Sequence, residues 1–328
     1  MTFVKNKIHT EIGTDLNLAA DYLKKGELVA IPTETVYGLA GNALDTNAVL
    51  KIYQTKKRPS FDPLIVHVGG LEQVYPYVKE FPEELKELAE AFWPGPLTLL
   101  LPKQSIIPDL VTSGLDTVGI RVPHHPLTRE LLMNLDFPLA APSANPFGYI
   151  SPTKATHVVD QLNGEIPYVL DGGDCQVGLE STIVGIEQGQ VIVYRLGGVP
   201  VKRIEDRVGP LLILPQSSSN PKAPGMLKSH YAPQTPIVLG NLEEMIVKYS
   251  ANGIPFGVLS FSKDYGRFQP KQQVVLSKVG DFEEAARNLF SGMRMLDNTG
   301  LAVILAEELP EENLGKAIND RLRRAAAK

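Results

Sequence analysis

The feature that most constrains the fold is an alternation of short apolar runs with helical patterns, interrupted once by a segment rich in proline and serine. In the first 210 residues the runs LVAIP, LIVHV, PLTLLL and TVGIRV are too short for helices, and turn-forming residues bound them. The runs STIVGI and VIVYR, separated by a turn at Gly189, predict a β-hairpin. This region is therefore expected to form a mixed sheet with flanking helices.

Capping signals predict several helix boundaries in this region. Thr14 and Asp15 are the candidate caps of a helix that runs to about Lys25, and Pro82 is expected at the first position of another. Ser151 and Pro152 have the residue types of an N-cap and a first helical position. Because helix N-termini bind anions, a helix beginning there would also suit a phosphate.

The segment rich in proline and serine, residues 211–235, is called the connector below. Its composition is typical of an extended linker. It also carries Met226, Lys228, His230 and Tyr231, which a simple linker does not need. These side chains indicate that the connector packs against another part of the chain.

After the connector, the apolar runs PIVL, FGVLS, QVVLS and LAVILA alternate with helical stretches. This pattern predicts a smaller, Rossmann-like parallel α/β domain. The expected domains are thus residues 1–210, the connector and residues 236–328. The tail RLRRAAAK is expected to be an ordinary solvated helix end, and no cluster in this last region suggests chemistry.

Composition excludes several classes of protein. The 328 residues include 32 Lys and Arg against 37 Asp and Glu, so the net charge of −5 argues against coating nucleic acid by bulk charge. One cysteine, Cys175, excludes an internal disulfide framework and a cysteine-rich zinc site. No apolar run approaches the roughly 18 residues that span a bilayer, so we expect a cytoplasmic protein without membrane contact. Motifs for a P-loop, a dinucleotide fold, a metalloprotease or a serine-nucleophile elbow are missing from the sequence.

Polar and charged residues collect where the apolar runs end, which is where ligands bind in open α/β sheets. Thr35 follows the first run, Arg121 lies in TVGIRV, and Arg195 ends VIVYR. Arg121 needs a partner because an unpaired buried charge is costly, and either a ligand carboxylate or a structural acidic residue would serve. His67 lies inside an apolar strand and, taken alone, is typical of a buried core histidine.

A cationic run and a proline-bracketed loop complete this collection. Lys56 to Arg58 follow a predicted helix and would either stabilise its C-terminus or bind phosphate. Ser143 and Asn145 lie just past the PLAAP run. Hydroxyls, amides and arginines at strand ends, without a metal or nucleophile motif, favour binding of an anionic nucleotide beside a small polar substrate.

The motifs TETVYGL, KKR, DPLIVH, WPGPLT, GIRVP, APSAN, GLESTIV and YRLGG, in this order, resemble the YrdC-type threonylcarbamoyl-AMP synthases. The connector's HYAP sequence and the C-terminal α/β region are similar to the long, two-domain form, so the resemblance covers essentially the whole chain. Each motif is weak alone, whereas the ordered combination is highly specific. It implies a YrdC-like twisted mixed sheet with flanking helices and a ligand groove.

The resemblance implies a nucleotidyltransferase that condenses L-threonine, bicarbonate or CO2, and ATP to L-threonylcarbamoyl-AMP and pyrophosphate. Mg2+ would accompany ATP through its phosphates, with no metal ligand from protein side chains. A separate transferase complex would then pass the threonylcarbamoyl group to an adenosine beside the tRNA anticodon. This sequence of reactions does not require the chain itself to bind tRNA, and leaves such binding open.

Site residues follow from the same resemblance. The threonine pocket would be formed by Thr35, His67, Arg121, Ala141 and Ser181, with Arg121 on the substrate carboxylate. The residues that would hold ATP are Arg58, Asp62, Thr117, Ser143, Ser151, Arg195 and Tyr231. The family's KxR…SxN set, taken as catalytic, corresponds to Lys56, Arg58, Ser143 and Asn145.

Two of these assignments carry a physical consequence. Tyr231 would place the connector over the nucleotide as a lid. Asp62 would repel phosphates unless Mg2+ or a neighbouring cation intervened, so its role is expected to be indirect.

Two other functions compete with the synthase. The same cationic groove would suit a module that binds tRNA or double-stranded RNA through phosphates, although the chain is acidic and has no evident base-stacking platform. A carbamoyl-adenylate hydrolase would use a similar site to run the chemistry backward.

Overall fold

The structure is a computed structural model that describes residues 9–214, 223–226, 230–266, 268–269 and 272–327. Lys228 of the connector lies outside the described residues. The described chain contains one large mixed sheet and one small parallel sheet. This mixed α/β architecture confirms the predicted fold class.

The large sheet spans the first part of the chain. Its strands are β1 (Glu11–Gly13), β2 (Val29–Ile31), β3 (Gly38–Asn42), β4 (Ile65–His67), β5 (Leu97–Pro102), β6 (Thr117–Arg121), β7 (Leu139–Ala140), β8 (Tyr168–Leu170), β9 (Thr182–Glu187), β10 (Gln190–Arg195) and β11 (Leu212–Ile213). Their order across the sheet is β1-β8-β2-β3-β7-β4-β6-β5-β9-β10-β11. β9 and β10 form the predicted antiparallel hairpin, and Gly189 in its turn has a φ of 75°, which glycine adopts without strain.

The helices that flank this sheet are α1 (Leu16–Lys24), α2 (Thr46–Lys56), α3 (Glu83–Phe92), α4 (Asp109–Thr112), α5 (Pro126–Met133), α6 (Ala155–Leu162) and α7 (Val201–Val208). Two 3-10 turns lie at Leu71–Gln73 and Tyr75–Tyr77. The Asp15 side chain accepts hydrogen bonds from the backbone N–H groups of Asn17 and Leu18, so it caps α1 as predicted.

Two predicted helix starts are wrong. Pro82 is the N-cap of α3 and not its first helical residue. Ser151 does not begin a helix, because α6 starts only at Ala155. The carbonyl of Pro152 instead accepts a hydrogen bond from the Tyr37 N–H at 2.8 Å, which ties this non-helical segment to the turn between β2 and β3. No helix N-terminus is therefore available at Ser151 for an anion.

The second region is a small parallel sheet with helices, as predicted. Its strands are β12 (Ile237–Leu239), β13 (Phe256–Ser260), β14 (Gln273–Val275) and β15 (Val303–Ala306), in the order β12-β15-β13-β14. Its helices are α8 (Leu242–Ala251), α9 (Phe282–Asp297) and α10 (Gly315–Ala326). All pairings in this sheet are parallel, and α8 and α9 provide the crossovers from β12 to β13 and from β14 to β15.

The connector joins the two regions through contacts on both sides. Its strand β11 extends the large sheet beside β10. Tyr231 belongs to one buried apolar cluster with Val36 and Leu179 of the first region and Phe290 of α9. Met226, His230 and Tyr231 of the connector are buried, as their side chains indicated. The predicted domain boundaries stay a prediction. Within the described residues, no helix combines the length and apolarity needed to cross a bilayer.

Candidate functional site

A cavity of about 580 Å³, open to solvent, lies where several strands of the large sheet end and the connector passes over them. Its walls are formed by Thr33, Thr35, Val36, Gly38, Arg58, Pro63, Ile65, His67, Arg121, Ala141, Pro142, Ser143, Glu180, Ser181, Arg195, Pro224, Gly225, His230 and Tyr231. Three arginines and several hydroxyls thus face one space. We call this space the central pocket.

Adjacent strands build one end of the central pocket. β4 and β6 run parallel with His67 opposite Arg121, so both side chains reach the same pocket. The Arg121 guanidinium donates to the Thr35 hydroxyl at 2.9 Å and to the Glu34 carboxylate at 2.6 Å, and its Nε donates to the Gly95 carbonyl at 3.2 Å. The structural acidic partner that the sequence left open is therefore Glu34, although Arg121 also faces the pocket.

His67 forms part of the wall at this end, and its side chain is uncharged at physiological pH. Only 3% of the residue is exposed. Burial, together with the positive charge of Arg121, lowers the pKa of His67 to about 3. Its imidazole is thus a polar but uncharged group beside the arginine.

The opposite end is formed by the loop after α2. The Arg58 guanidinium forms an ion pair with the Asp62 carboxylate at 2.9 Å and donates hydrogen bonds to the carbonyls of Asp62 and Pro63. The second carboxylate oxygen of Asp62 accepts from the Gly225 N–H of the connector at 3.3 Å. Asp62 therefore has the neighbouring cation that an acidic residue in this place requires, and it links the Arg58 loop to the connector.

Lys56 lies behind the pocket wall. Its ammonium donates to the carbonyls of Ser143 at 2.5 Å and Asn145 at 2.6 Å. Burial, and the nearby charge of Arg58, hold the pKa of Lys56 well below its usual value. In this arrangement Lys56 fixes the backbone of the loop that carries Ser143 into the pocket.

Arg195 connects the hairpin to the connector. Its guanidinium donates to the Ser181 carbonyl and hydroxyl at about 3 Å, and to the Pro224 carbonyl at 3.3 Å. Gly225 has a φ of 73°, and a Cβ atom there would lie 3.1 Å from the Arg195 guanidinium. A glycine is required at this position both for its backbone conformation and for the close approach of the arginine.

Glu180 forms a buried charged group at the pocket wall. It accepts from the Ser151 hydroxyl at 2.6 Å and from Nε of Arg321, a residue of α10, at 3.1 Å. Burial alone would raise the pKa of Glu180, but the positive charges of Arg321 and Arg195 outweigh this effect and lower it. Glu180 therefore remains a carboxylate, and it joins the pocket to the second region.

Two aromatic residues of the connector cover the pocket. The rings of His230 and Tyr231 are 4.2 Å apart, and Phe147 contacts His230 edge-on at 5.5 Å. Tyr231 is 1% exposed and stacks on Phe290 of α9 with ring centroids 5.5 Å apart. Burial, with the surrounding cations, holds the pKa of His230 well below its usual value. The His230 ring is thus uncharged, and both rings are held by neighbouring aromatic side chains.

The structure brings most of the predicted site residues to the pocket walls. The predicted residues that line it are Thr35, Arg58, His67, Arg121, Ala141, Ser143, Ser181, Arg195 and Tyr231. Those that do not line it are Lys56, Asp62, Thr117, Asn145 and Ser151. Four of these five contact pocket residues or their loops through the hydrogen bonds given above, and Thr117 begins β6, the strand that Arg121 ends.

Sequence analysis missed four charged residues around the site. Glu34 and Glu180 lie inside the motifs TETVYGL and GLESTIV, but only their hydroxyl neighbours Thr35 and Ser181 were assigned to the site. The expectation that the tail is a solvated helix end is wrong for two of its three arginines, because Arg321 is 0% and Arg324 2% exposed. Their spacing of three residues places both on the buried face of α10, and this periodicity was the available signal.

Two family models match the chain, one in each region. Residues 21–197 match the Sua5_yciO_yrdC family model, which is described as telomere recombination. Residues 195–327 match the Sua5_C model, described as the C-terminal domain of threonylcarbamoyl-AMP synthase. The chain belongs to the Sua5/YciO/YrdC family. The two matches together confirm the resemblance to the long, two-domain form.

Close relatives extend this family assignment along the chain. The threonylcarbamoyl-AMP synthase of Pyrococcus abyssi is 42% identical over 324 residues, which cover 95% of this chain and 94% of that protein. The Bacillus subtilis protein of the same name is 39% identical and covers 94% of this chain and 92% of its own length. The crystal structure of P. abyssi Sua5 in complex with L-threonine superposes with a TM-score of 0.90, at 40% identity, over 97% of both chains.

Proposed function

We propose that this chain synthesises L-threonylcarbamoyl-AMP from L-threonine, bicarbonate or CO2, and ATP. The observation that carries the proposal is the central pocket. All five residues assigned to threonine and four of the seven assigned to ATP lie on its walls, in a chain whose relatives are named threonylcarbamoyl-AMP synthases. The enzyme class, a nucleotidyltransferase that acts on ATP and threonine in tRNA modification, agrees with the prediction from the sequence.

Threonine would bind at the end formed by β4 and β6. Within the described residues, three of the five N–H groups of Arg121 are engaged by protein acceptors, which leaves two for a substrate carboxylate. The hydroxyls of Thr35 and Ser181 and the neutral ring of His67 offer partners to the amino and hydroxyl groups of the substrate. The similar protein P. abyssi Sua5 was crystallised in complex with L-threonine, which supports threonine as a ligand of this chain.

ATP would occupy the end with Arg58 and Arg195, under Tyr231. The carbonyls and carboxylate around Arg58 hold its guanidinium in a fixed position, which favours phosphate binding because little side-chain entropy is then lost. Asp62 would act indirectly, by orienting Arg58 and the connector. Ser151 would act through Glu180, and Lys56 with Asn145 through the loop that carries Ser143.

Mg2+ would enter with ATP. In the described part of the chain, no group of three or more His, Cys, Asp and Glu side chains could hold a metal ion. The two carboxylates closest to the proposed phosphate site, Asp62 and Glu180, are already paired with arginines. We infer that phosphate oxygens and water ligate Mg2+, whose charge would help to neutralise the triphosphate.

The pocket can promote the reaction by orientation and charge neutralisation. The threonine amine and bicarbonate condense to a carbamate with loss of water, and a carbamate oxygen then attacks the α-phosphorus while the bond to the pyrophosphate oxygen breaks. Arg58 and Arg195 would reduce the repulsion between carbamate and triphosphate. The packed connector would exclude water from the carbamate and from the mixed anhydride. A separate transferase would then consume the released product on tRNA.

The direct test is pyrophosphate release from ATP with Mg2+ and bicarbonate, comparing L-threonine, L-serine and no amino acid. We expect release that requires both L-threonine and bicarbonate, with threonylcarbamoyl-AMP as the co-product. Release without threonine would instead identify a hydrolase or another adenylating enzyme. Folded protein that releases no pyrophosphate but binds RNA in a salt-dependent manner would support the RNA-binding alternative.

A further inference from the structure

Two buried arginines of helix α10, Arg321 and Arg324, contact Tyr231, the connector residue that covers the pocket. The guanidinium of Arg324 lies 4.7 Å from the centroid of the Tyr231 ring, and that of Arg321 lies 5.2 Å from it. Nη1 of Arg324 is 3.4 Å from the Tyr231 hydroxyl, and the Arg324 carbonyl is 3.4 Å from the His230 N–H. The ring of Tyr231 is therefore contacted by two cations from a different domain.

Tyr231 adopts a backbone conformation that needs external support. Its φ is 63°, in the left-handed region that residues with a side chain rarely adopt. Such a conformation is strained and persists only where the surroundings hold it. Here the surroundings are the two arginines, Phe290 and the His230 ring, three of which belong to the C-terminal region.

The two arginines are themselves fixed, so they can act as a rigid support. Arg321 donates to the Leu196 carbonyl at 2.7 Å and to Asp320 at 2.9 Å, besides its bond to Glu180. Asp320 also lies 3.5 Å from Arg324. Because Glu180 is on the pocket wall, the same helix touches both the cover and the wall of the pocket.

We propose that Arg321 and Arg324 form a clamp that holds Tyr231 in its strained, closed position over the nucleotide, so that the C-terminal domain sets how tightly the pocket retains ATP. Both arginines are positioning residues, since they act through Tyr231 and do not line the pocket. The proposal rests on the proposed function only in taking ATP as the ligand beneath Tyr231. Releasing the clamp would allow Tyr231 to leave its strained conformation and would open the pocket.

Arg324 is the better residue to substitute because Arg321 also neutralises Glu180. Arg324→Met removes the cation and retains most of the side-chain volume and helix propensity. Arg323→Met is the matched control, since Arg323 lies on the same helix and pairs with Glu308 and Glu311 on the exposed side. Arg324→Gln, which also removes the cation, serves as a second variant if the methionine variant fails to fold.

The experiment is a double-mutant cycle on equilibrium binding of ATP with Mg2+, measured by calorimetry in the full-length chain. The four proteins are the wild type, Arg324→Met, Tyr231→Leu and the double variant. We expect Arg324→Met to weaken ATP binding about tenfold in the wild-type background, as loss of a desolvated cation–π contact predicts, and less than about twofold in the Tyr231→Leu background. Arg323→Met should bind ATP as the wild type does.

An equal loss of affinity in both backgrounds would overturn the proposal, because the arginine would then act independently of Tyr231. Unchanged ATP binding in a folded Arg324→Met or Arg324→Gln variant would overturn it as well. L-Threonine binding should stay within about twofold of the wild type in Arg324→Met, which separates the clamp from a general loss of structure. Failure of the proposed function would appear differently, as wild-type protein that binds ATP but forms no threonylcarbamoyl-AMP.

Discussion

The two ends of the central pocket are built in different ways. At the end proposed for threonine, Arg121 and His67 lie on neighbouring strands of the large sheet, and the partners of Arg121 come from the same domain. At the end proposed for ATP, Arg195 bonds to the connector, and the cover residue Tyr231 is held by helices of the C-terminal region. One end is formed by the first region of the chain alone, whereas the other is assembled from three parts of the chain.

This difference indicates that the two ends of the pocket serve different ligands. A small amino acid is selected by rigid groups that strands hold in register, and preorganised donors of this kind lose little entropy on binding. A nucleotide must enter and its products must leave, so its end is better formed by a segment that can move as a unit. Substitutions at the two ends should therefore affect different ligands.

The largest effect is expected for Arg121→Ala. The substitution removes the proposed carboxylate anchor and leaves Glu34 buried without its cation, so kcat/KM for L-threonine should fall by at least about 100-fold. Initial rates of product formation across a threonine titration measure this effect. Turnover near that of the wild type would show that Arg121 is only the structural partner of Glu34.

Arg58→Ala is expected to have a comparable but distinct effect. Loss of the guanidinium should raise KM for ATP by about 30-fold or more, since charge-assisted bonds to phosphate are strong. Asp62→Asn keeps the shape of its partner and should produce a smaller change in the same direction. If Arg58→Ala altered only the threonine dependence, the assignment of this end to ATP would be wrong.

Lys56→Met tests a contribution from behind the pocket wall. The ammonium holds two carbonyls of the loop that carries Ser143, so its loss should reduce the free energy of unfolding by about 2–3 kcal/mol and the turnover several-fold. Chemical denaturation and steady-state assays measure the two effects. A large loss of turnover with unchanged stability would instead indicate that Lys56 contacts the phosphates directly.

The last prediction concerns pH and the threonine end. The pKa of His67 is about 3 in the folded protein and near 6.5 when unfolded, so between these values only the unfolded state binds the proton. The free energy of unfolding should therefore fall as the pH decreases from about 6.5 towards 3, by about 1.4 kcal/mol per pH unit from this residue. His67→Gln should flatten the slope of stability against pH by this amount. An unchanged slope would show that His67 is not a buried neutral group.

Much of the fold could be predicted because hydrophobic periodicity and turn residues are local signals. The hairpin around Gly189 and the small parallel sheet follow directly from such patterns. Ser151 shows the limit of local reasoning, since its residue type suits an N-cap while a distant hydrogen bond to Tyr37 keeps the following segment extended. The backbone conformation at Ser151 is therefore set by tertiary contacts, which cannot be read from a single sequence.

The site could be predicted in part for a related reason. The motif-based resemblance identified nine residues that line the pocket and five that do not, and it did not identify the charged groups that hold them. Arg321 and Arg324 lie more than 120 residues from Glu180 and Leu196, and a charged helix end is usually solvated, so composition favoured the wrong interpretation. The alternative partner of Arg121 was left open, and only the structure identified it as Glu34.

The most direct test of the two-ended pocket is to titrate L-threonine and ATP separately into Arg121→Ala and Arg58→Ala by calorimetry. The account predicts a crossed pattern. Arg121→Ala should lose at least about 30-fold in threonine affinity while its ATP affinity stays within about threefold of the wild type, and Arg58→Ala should show the reverse. Equal loss of both ligands in either folded variant would contradict it and would indicate a single site without separable ends.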